Sequence, residues 1–202
     1  MISDLWRVMQ ADHDLVWDLL DRLTGGSGQP HGSPAEHRSI AKQLVALESA
    51  HEAAEELVIW PAVRRLCPDG EDLVFEASSQ ERQAKRALNE LNSMKAGNTE
   101  FDECVNTVAS HAREHITYEQ NQIWPRLADH LTDPDADLLA ARWVDARRRG
   151  PTRPHPHTPP VPWILGTHGY VVARIDRARD ALTGRKVPTP AAISEHRPAV
   201  QR

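Results

Sequence analysis

Two short stretches place a histidine four residues before a glutamate and then close on Ile-Trp-Pro. They are His51 with Glu55, ending Ile59-Trp60-Pro61, and His115 with Glu119, ending Ile123-Trp124-Pro125. On a helix, positions i and i+4 sit one above the other on the same face. Each copy therefore offers one imidazole and one carboxylate to a single point, which suits a transition metal bound through nitrogen and oxygen. The competing reading is two surface pairs that steady their helices by only ~0.3–0.5 kcal/mol each. Repetition with the same apolar continuation favours ligation.

The rest of the composition narrows the chemistry. Eleven histidines against two cysteines mean that a metal site would be built from nitrogen and oxygen, which disfavours structural zinc and iron–sulfur clusters. The same donors exclude soft Cu(I), and the histidines disfavour calcium and magnesium. A ferritin-like centre needs Glu-x-x-His on two helices; only Glu48 and His51 fit, and the fourth helix has no counterpart. A zinc protease needs His-Glu-x-x-His, whereas His51-Glu52-Ala53-Ala54 runs into Glu55. A net charge of −5 and a pI near 6.1 argue against a nucleic-acid partner, and Arg147-Arg148-Arg149 reads as a solvated helix end. No apolar run approaches the ~20 residues of a membrane span. The start, Met1 to Trp6, lacks a secretory signal, so a reducing, cytoplasmic location is expected.

The elements that must position these residues are helices. Apolar residues at three- and four-residue steps predict a first helix over about 2–24, and Gly25 to Gly32 breaks it. Ser33-Pro34 reads as an N-cap with proline in the first turn of a second helix, which runs to about Leu66 with a kink at Pro61. Cys67-Pro68-Asp69-Gly70 is a turn. A third helix ends near Ala96, and a fourth runs from about Phe101 to Leu127 with a kink at Pro125. The expected fold class is all-α, an up-down-up-down four-helix bundle over 1–130. A C-terminal extension over 131–202 follows. It comprises a short helix capped by Asp133-Pro134 and passing through Trp143, a Pro-rich linker, a helix from Tyr170 to Leu182, and about twenty poorly ordered residues.

Counting along helices that rise ~1.5 Å per residue tests whether the donors share one level. Glu55 lies about 11 residues before the second turn and Glu81 about 10 after it; Glu81 and His115 each lie roughly 15 from the third. These three share a depth. His13 and His51 differ by ~8 Å, which the glycine-rich connection absorbs. Carboxylates buried there would cost several kcal/mol each without a partner, and a cation turns that liability into binding energy. Three imidazoles and three carboxylates are what two iron or manganese ions need while leaving a position open.

At these residues the chain resembles the hemerythrin-like, or HHE cation-binding, four-helix bundles. Their pattern is one His on the first helix, His-x-x-x-Glu on the second, usually His on the third, and His-x-x-x-Glu on the fourth. His13, His51 with Glu55, and His115 with Glu119 match it over about residues 1–130. The run from Pro151 to Pro160 also resembles an actinobacterial-type subgroup. The resemblance implies two non-haem iron ions, oxo- or hydroxo-bridged, with manganese as the alternative, that bind dioxygen, peroxide or nitric oxide. One position departs: Glu81 stands where most relatives carry the third-helix His. It is assigned there by the level count and by its offset from Lys85, a residue that often follows the ligand in relatives. A surface Glu complementing the helix dipole is the competing reading. Carboxylate in place of imidazole adds negative charge and favours the ferric state, so turnover of peroxide or dioxygen is expected over reversible carriage. A sensing module and a metal-free scaffold are the alternatives.

Other residues near the motif have plainer readings. Tyr118 points roughly inward and is a candidate to donate to a bound oxygen species or to ligate iron, with core packing as the competing role. Glu52 and Glu56 are expected to be solvated, and His111 to be an outer partner or a core histidine. Trp60 and Trp124 are expected to act as wedges at the kinks, and His155 and His157 to lie in exposed linker.

Overall fold

Leu5, Met9, Val16, Leu20 and Leu23 recur on one stripe, and helix α1 (Asp4–Thr24) buries it. The computed structural model describes residues 4–26, 32–155, 176, 180 and 187–196, and every element among them is helical. Helix α2 (Pro34–Ala54) opens on a capping box, as its sequence predicts. The Ser33 hydroxyl accepts from the Glu36 N–H at 3.3 Å, and the Glu36 carboxylate accepts from the Ser33 N–H at 2.7 Å.

The chain stays helical past Ala54 but with a wider turn. Glu55–Ile59 is a π turn leading into α3 (Trp60–Leu66), and the Trp60 N–H donates to the Glu55 carbonyl five residues back. Pro61 explains it. In a regular helix its ring would collide with the carbonyl four residues earlier, and it has no N–H to give; widening the turn ahead of the proline removes the conflict. The fourth helix repeats this: α5 (Thr99–Tyr118), a π turn at Glu119–Ile123, then α6 (Trp124–Ala128) carrying Pro125. The kinks expected at the two prolines thus take the form of π turns, each beginning on the glutamate of a His-x-x-x-Glu pair.

Between them, α4 (Gly70–Ser93) starts directly after the Cys67 turn. A Cβ on Gly70 would lie 2.3 Å from the Val63 carbonyl oxygen and 2.8 Å from Arg64 Cα, so only glycine lets α4 leave α3 this closely. Cross-helix contacts set the directions. Arg38 at the start of α2 donates to the Leu91 and Asn92 carbonyls at the end of α4, at 3.2 and 2.6 Å. The Cys104 thiol early in α5 reaches the Ala87 carbonyl late in α4 at 3.7 Å, and Gln120 after α5 reaches Gln10 near the start of α1 at 3.0 Å. Neighbours therefore run antiparallel in the expected bundle.

The core is split. One apolar cluster gathers Leu20, Leu44, Leu88, Leu91, Phe101 and Val105, and the other gathers Leu5, Met9, Ile59, Trp60, Val63 and Trp143. On every bundle helix one candidate, His13, His51, Glu81 or Glu119, falls in sequence between the residues of these two clusters. A polar layer at mid-bundle follows.

Helix α7 (Asp133–Arg149) packs on α1, α2 and the first π turn. Its N-cap is Thr132, whose hydroxyl accepts from the Asp135 N–H at 3.3 Å, so Asp133 is the first helical residue rather than the cap. The helix extends past Trp143 and buries Arg147 at 2 % exposure, which corrects the expectation that Arg147 is solvated. The short α8 (Ala191–Ser194) buries Ile193 against α1, so residues 187–196 are not the loose tail the sequence suggests. The helix expected from Tyr170 to Leu182 lies outside the described residues apart from Asp176 and Asp180. No helix among the described residues is long and apolar enough to cross a membrane.

Candidate metal centre

The polar layer brings six side chains into two overlapping groups. His13, His51, Glu55 and Glu119 form one, and Glu55, Glu81 and His115 the other; within each, the donor atoms lie within 4.8 Å of one another and every residue is buried. Glu55 belongs to both. Its Oε1 is 3.0 Å from His51 Nε2 and its Oε2 is 3.6 Å from His115 Nε2, while Glu119 Oε2 is 3.1 Å from His13 Nε2. Both oxygens of Glu55, both of Glu119 and His115 Nε2 have no aligned hydrogen-bond partner. Buried polar atoms are almost always satisfied. Here they converge without aligned hydrogen bonds, as donors do when aimed at a common cation, and the set of imidazole and carboxylate suits iron or manganese. The residues fit a metal.

Each imidazole is steered from behind. His51 Nδ1 is 3.2 Å from Asp12 Oδ2, His115 Nδ1 is 3.4 Å from Gln80 Oε1, and His13 Nδ1 is 3.2 Å from the Gln120 side-chain amide. Nε2 is the nitrogen turned to the cluster in all three; for His51 and His115 the atom behind Nδ1 is an acceptor oxygen, the usual arrangement behind metal-bound histidine, whereas His13 Nδ1 faces the Gln120 amide nitrogen, a donor. Trp60 Nε1 donates to Glu81 Oε1 at 2.8 Å and sets its ring edge toward His115; Trp124 stacks on His13 at 5.3 Å; Trp143 meets His51 edge-on at 5.3 Å. Aromatic walls exclude water and strengthen the local electrostatics.

Without a cation the six groups sort their protons unequally. Burial opposes ionisation of Glu55, but His51 and His115 outweigh it and hold its carboxyl well below the usual range. Burial and the Glu55 charge push Glu119 well above. Burial also pushes Glu81 well above, against the pull of Lys85. Burial works against a charge on His51, yet Glu55 and Asp12 outweigh it and raise its pKa, while burial and the neighbouring His51 hold His13 well below. A cation entering this site displaces protons as it binds.

All six residues expected as ligands are thus brought together, Glu81 included. Tyr118 is in neither group: it packs against the second apolar cluster and its hydroxyl donates to the Leu73 carbonyl at 3.4 Å. His111 is half-buried and also in neither. Glu52 and Glu56, expected in solvent, are buried at 1 % and 6 %; Lys85 faces both, its Nζ 2.5 Å from Glu56 Oε1 and 3.9 Å from Glu52 Oε2. Trp60 and Trp124 do more than wedge the kinks, since both touch candidate ligands. His155 is half-buried with Nε2 3.0 Å from Asp176, and His157 lies outside the described residues. Beside the cluster a cavity with room for roughly one water-sized molecule is lined by His13, Glu48, His51, Glu52 and His115. Sequence reasoning missed Asp12, Gln80, Gln120 and Arg147. The first three each adjoin a candidate ligand in sequence, a signal that a search for one helical face passes over.

Comparison with known proteins bears on the family. The chain is 26% identical over 141 residues to an uncharacterised hemerythrin-like protein of Schizosaccharomyces pombe, a match covering 69% of this chain and 70% of that protein. It is 22% identical over 142 residues to a protein of Nostoc named DNA nickase, covering 70% of this chain but 38% of the nickase. No solved structure matches. The model of the hemerythrin HHE cation-binding domain matches residues 4–127. That span takes in all six clustered side chains, and the chain belongs to this family.

Proposed function

We propose that this is a non-haem di-iron protein whose bundle centre turns over a small oxidant, peroxide or dioxygen, rather than carrying dioxygen unchanged. The observation that carries the reading is Glu55, shared by two donor groups, with both oxygens buried, each facing an imidazole and neither making an aligned hydrogen bond. One ion would be held by His13, His51 and Glu119, the other by His115 and Glu81, with Glu55 common to both; manganese suits the same donors. Iron there supplies two accessible oxidation states and an open coordination position. The chain does the rest. Glu81 brings a third carboxylate to the layer, and added negative charge stabilises the more oxidised metal. Trp60 fixes that carboxylate through its indole N–H. The adjoining cavity admits only a small ligand, consistent with peroxide, dioxygen or nitric oxide. The net charge of −5 favours this chemistry over the DNA nicking named for the Nostoc relative. A reducing, cytoplasmic setting suits the free, buried thiols of Cys67 and Cys104.

The test is peroxide consumption by the iron-loaded full chain. The wild type is expected to consume peroxide, Glu55→Ala and His115→Ala to lose the activity, and Glu81→His to slow it while gaining reversible dioxygen uptake. A wild type that takes up and releases dioxygen reversibly and leaves peroxide untouched overturns the reading.

A further inference from the structure

Arg147 lies beyond the stretch that matches the family, yet it is joined to the metal layer by two contacts. At 2 % exposure its Nε donates to Asp12 Oδ2 at 2.5 Å, and the same Oδ2 is 3.2 Å from His51 Nδ1. Its Nη2 donates to the Pro188 carbonyl at 2.8 Å, so the guanidinium is clamped between Asp12 and the returning chain. Two further contacts bring α7 against the same histidine. Trp143, one turn earlier, sets its ring edge on His51. Gly150, just past the helix, lies against Ala50, the residue before His51; a Cβ there would be 3.0 Å from Ala50 Cα and 3.1 Å from its oxygen.

An imidazole that offers Nε2 to a cation must keep its proton on Nδ1 and its ring in one plane, and the acceptor behind Nδ1 fixes both. For His51 that acceptor is Asp12, which is fully buried and has no partner for Oδ1. A carboxylate so enclosed stays aimed only if a cation holds it, and the fork of Arg147 does so in fixed geometry.

We propose that Arg147 is a positioning residue of the metal centre: acting through Asp12, it sets the orientation and tautomer of His51, which makes α7 a working part of the centre. This rests on the metal-binding reading above.

The experiment titrates the full chain with Co(II), following affinity and the visible ligand-field spectrum. Arg147→Gln is expected to weaken binding about 10–100-fold and to alter the spectrum, and Arg147→Lys to recover part of both. Adding Arg147→Gln to Asp12→Asn should cost no more than Asp12→Asn alone, because both act through one contact. Arg148→Ala removes contacts from the same helix to the Ile193 and Ser194 carbonyls without touching Asp12; it is expected to leave affinity and spectrum at wild-type values. A folded Arg147→Gln chain with wild-type affinity and spectrum overturns the proposal, as does an Arg148→Ala chain that loses as much. If Arg147→Gln does not fold, Arg147→Lys carries the test: an intermediate loss of affinity with an altered spectrum supports the proposal, and wild-type affinity and spectrum overturn it. A wild type that binds neither Co(II) nor Fe(II) defeats the metal reading itself; a wild type that binds while the variants do not differ defeats only the role of Arg147.

Discussion

Glu55 does two things at once: it is the last residue of a His-x-x-x-Glu pair and the first of a π turn, so its carboxylate faces both donor groups. Its neighbours tune it from one shell further out. Trp60→Phe keeps a ring beside His115 but removes the N–H that Glu81 accepts; metal affinity is expected to fall about tenfold with helicity unchanged, checked by titration and circular dichroism. The buried protons give a pH prediction for the chelated protein. Burial raises the carboxyls of Glu48 to about 7 and Glu52 to about 8. Glu81, Glu119 and His51 are also raised above their unfolded values. Groups whose folded pKa is raised hold more protons in the native state, so their contribution fades as pH climbs through the folded pKa. His13, lowered, acts oppositely, but its unfolded-state imidazole is already half neutral at about pH 6.5 and almost wholly neutral by about pH 7.5, so it offsets only a small part of the fall. Denaturant melts of the chelated chain should therefore show stability falling from pH 6.5 to 8, and rising stability across that window would contradict the assignment.

At the scale of elements, the two π turns and the tight α3–α4 junction set the register of the site. Pro61→Ala or Pro125→Ala allows the helix to regularise, which shifts the following residues by about one position. Each variant is expected to stay folded but bind metal more weakly, and unchanged affinity would show that the turn is set by something other than proline. Gly70→Ala forces a Cβ onto the Val63 carbonyl and should cost about 1–3 kcal/mol in denaturant melts. Much of this scale was legible in the chain. Helical periodicity found the four long helices, and equal spacing from the turns, together with the offset from Lys85, matched Glu81 to Glu55 and His115. The π turns were visible only as prolines, because sequence marks where a regular helix fails and not how the backbone absorbs it. Arg147 was misread for a related reason: three arginines at a helix end look solvated unless the buried Asp12 across the fold is known.

For the molecule as a whole, a layer of ionisable groups between two apolar clusters is a weakness that a bound cation converts into strength. Binding to the native state alone stabilises by RT ln(1 + [L]/Kd), about 2.7 kcal/mol per site at a hundredfold excess over Kd. Chelation is accordingly expected to lower the melting temperature and refilling with Fe(II) to restore it. Helix α7 covers the His51 side of α2 and part of α1, and α8 covers α1 through Ile193. That cover was not legible, since it depends on contacts across more than a hundred residues of chain, such as Asp12 with Arg147. If one carboxylate, Glu55, serves two metal positions, metal analysis of iron-loaded, gel-filtered chains will find two ions per wild-type chain and loss of both in folded Glu55→Ala, whereas His13→Ala loses chiefly one. A Glu55→Ala chain that retains two ions, or a wild type that retains none, would show that Glu55 does not join two metal positions.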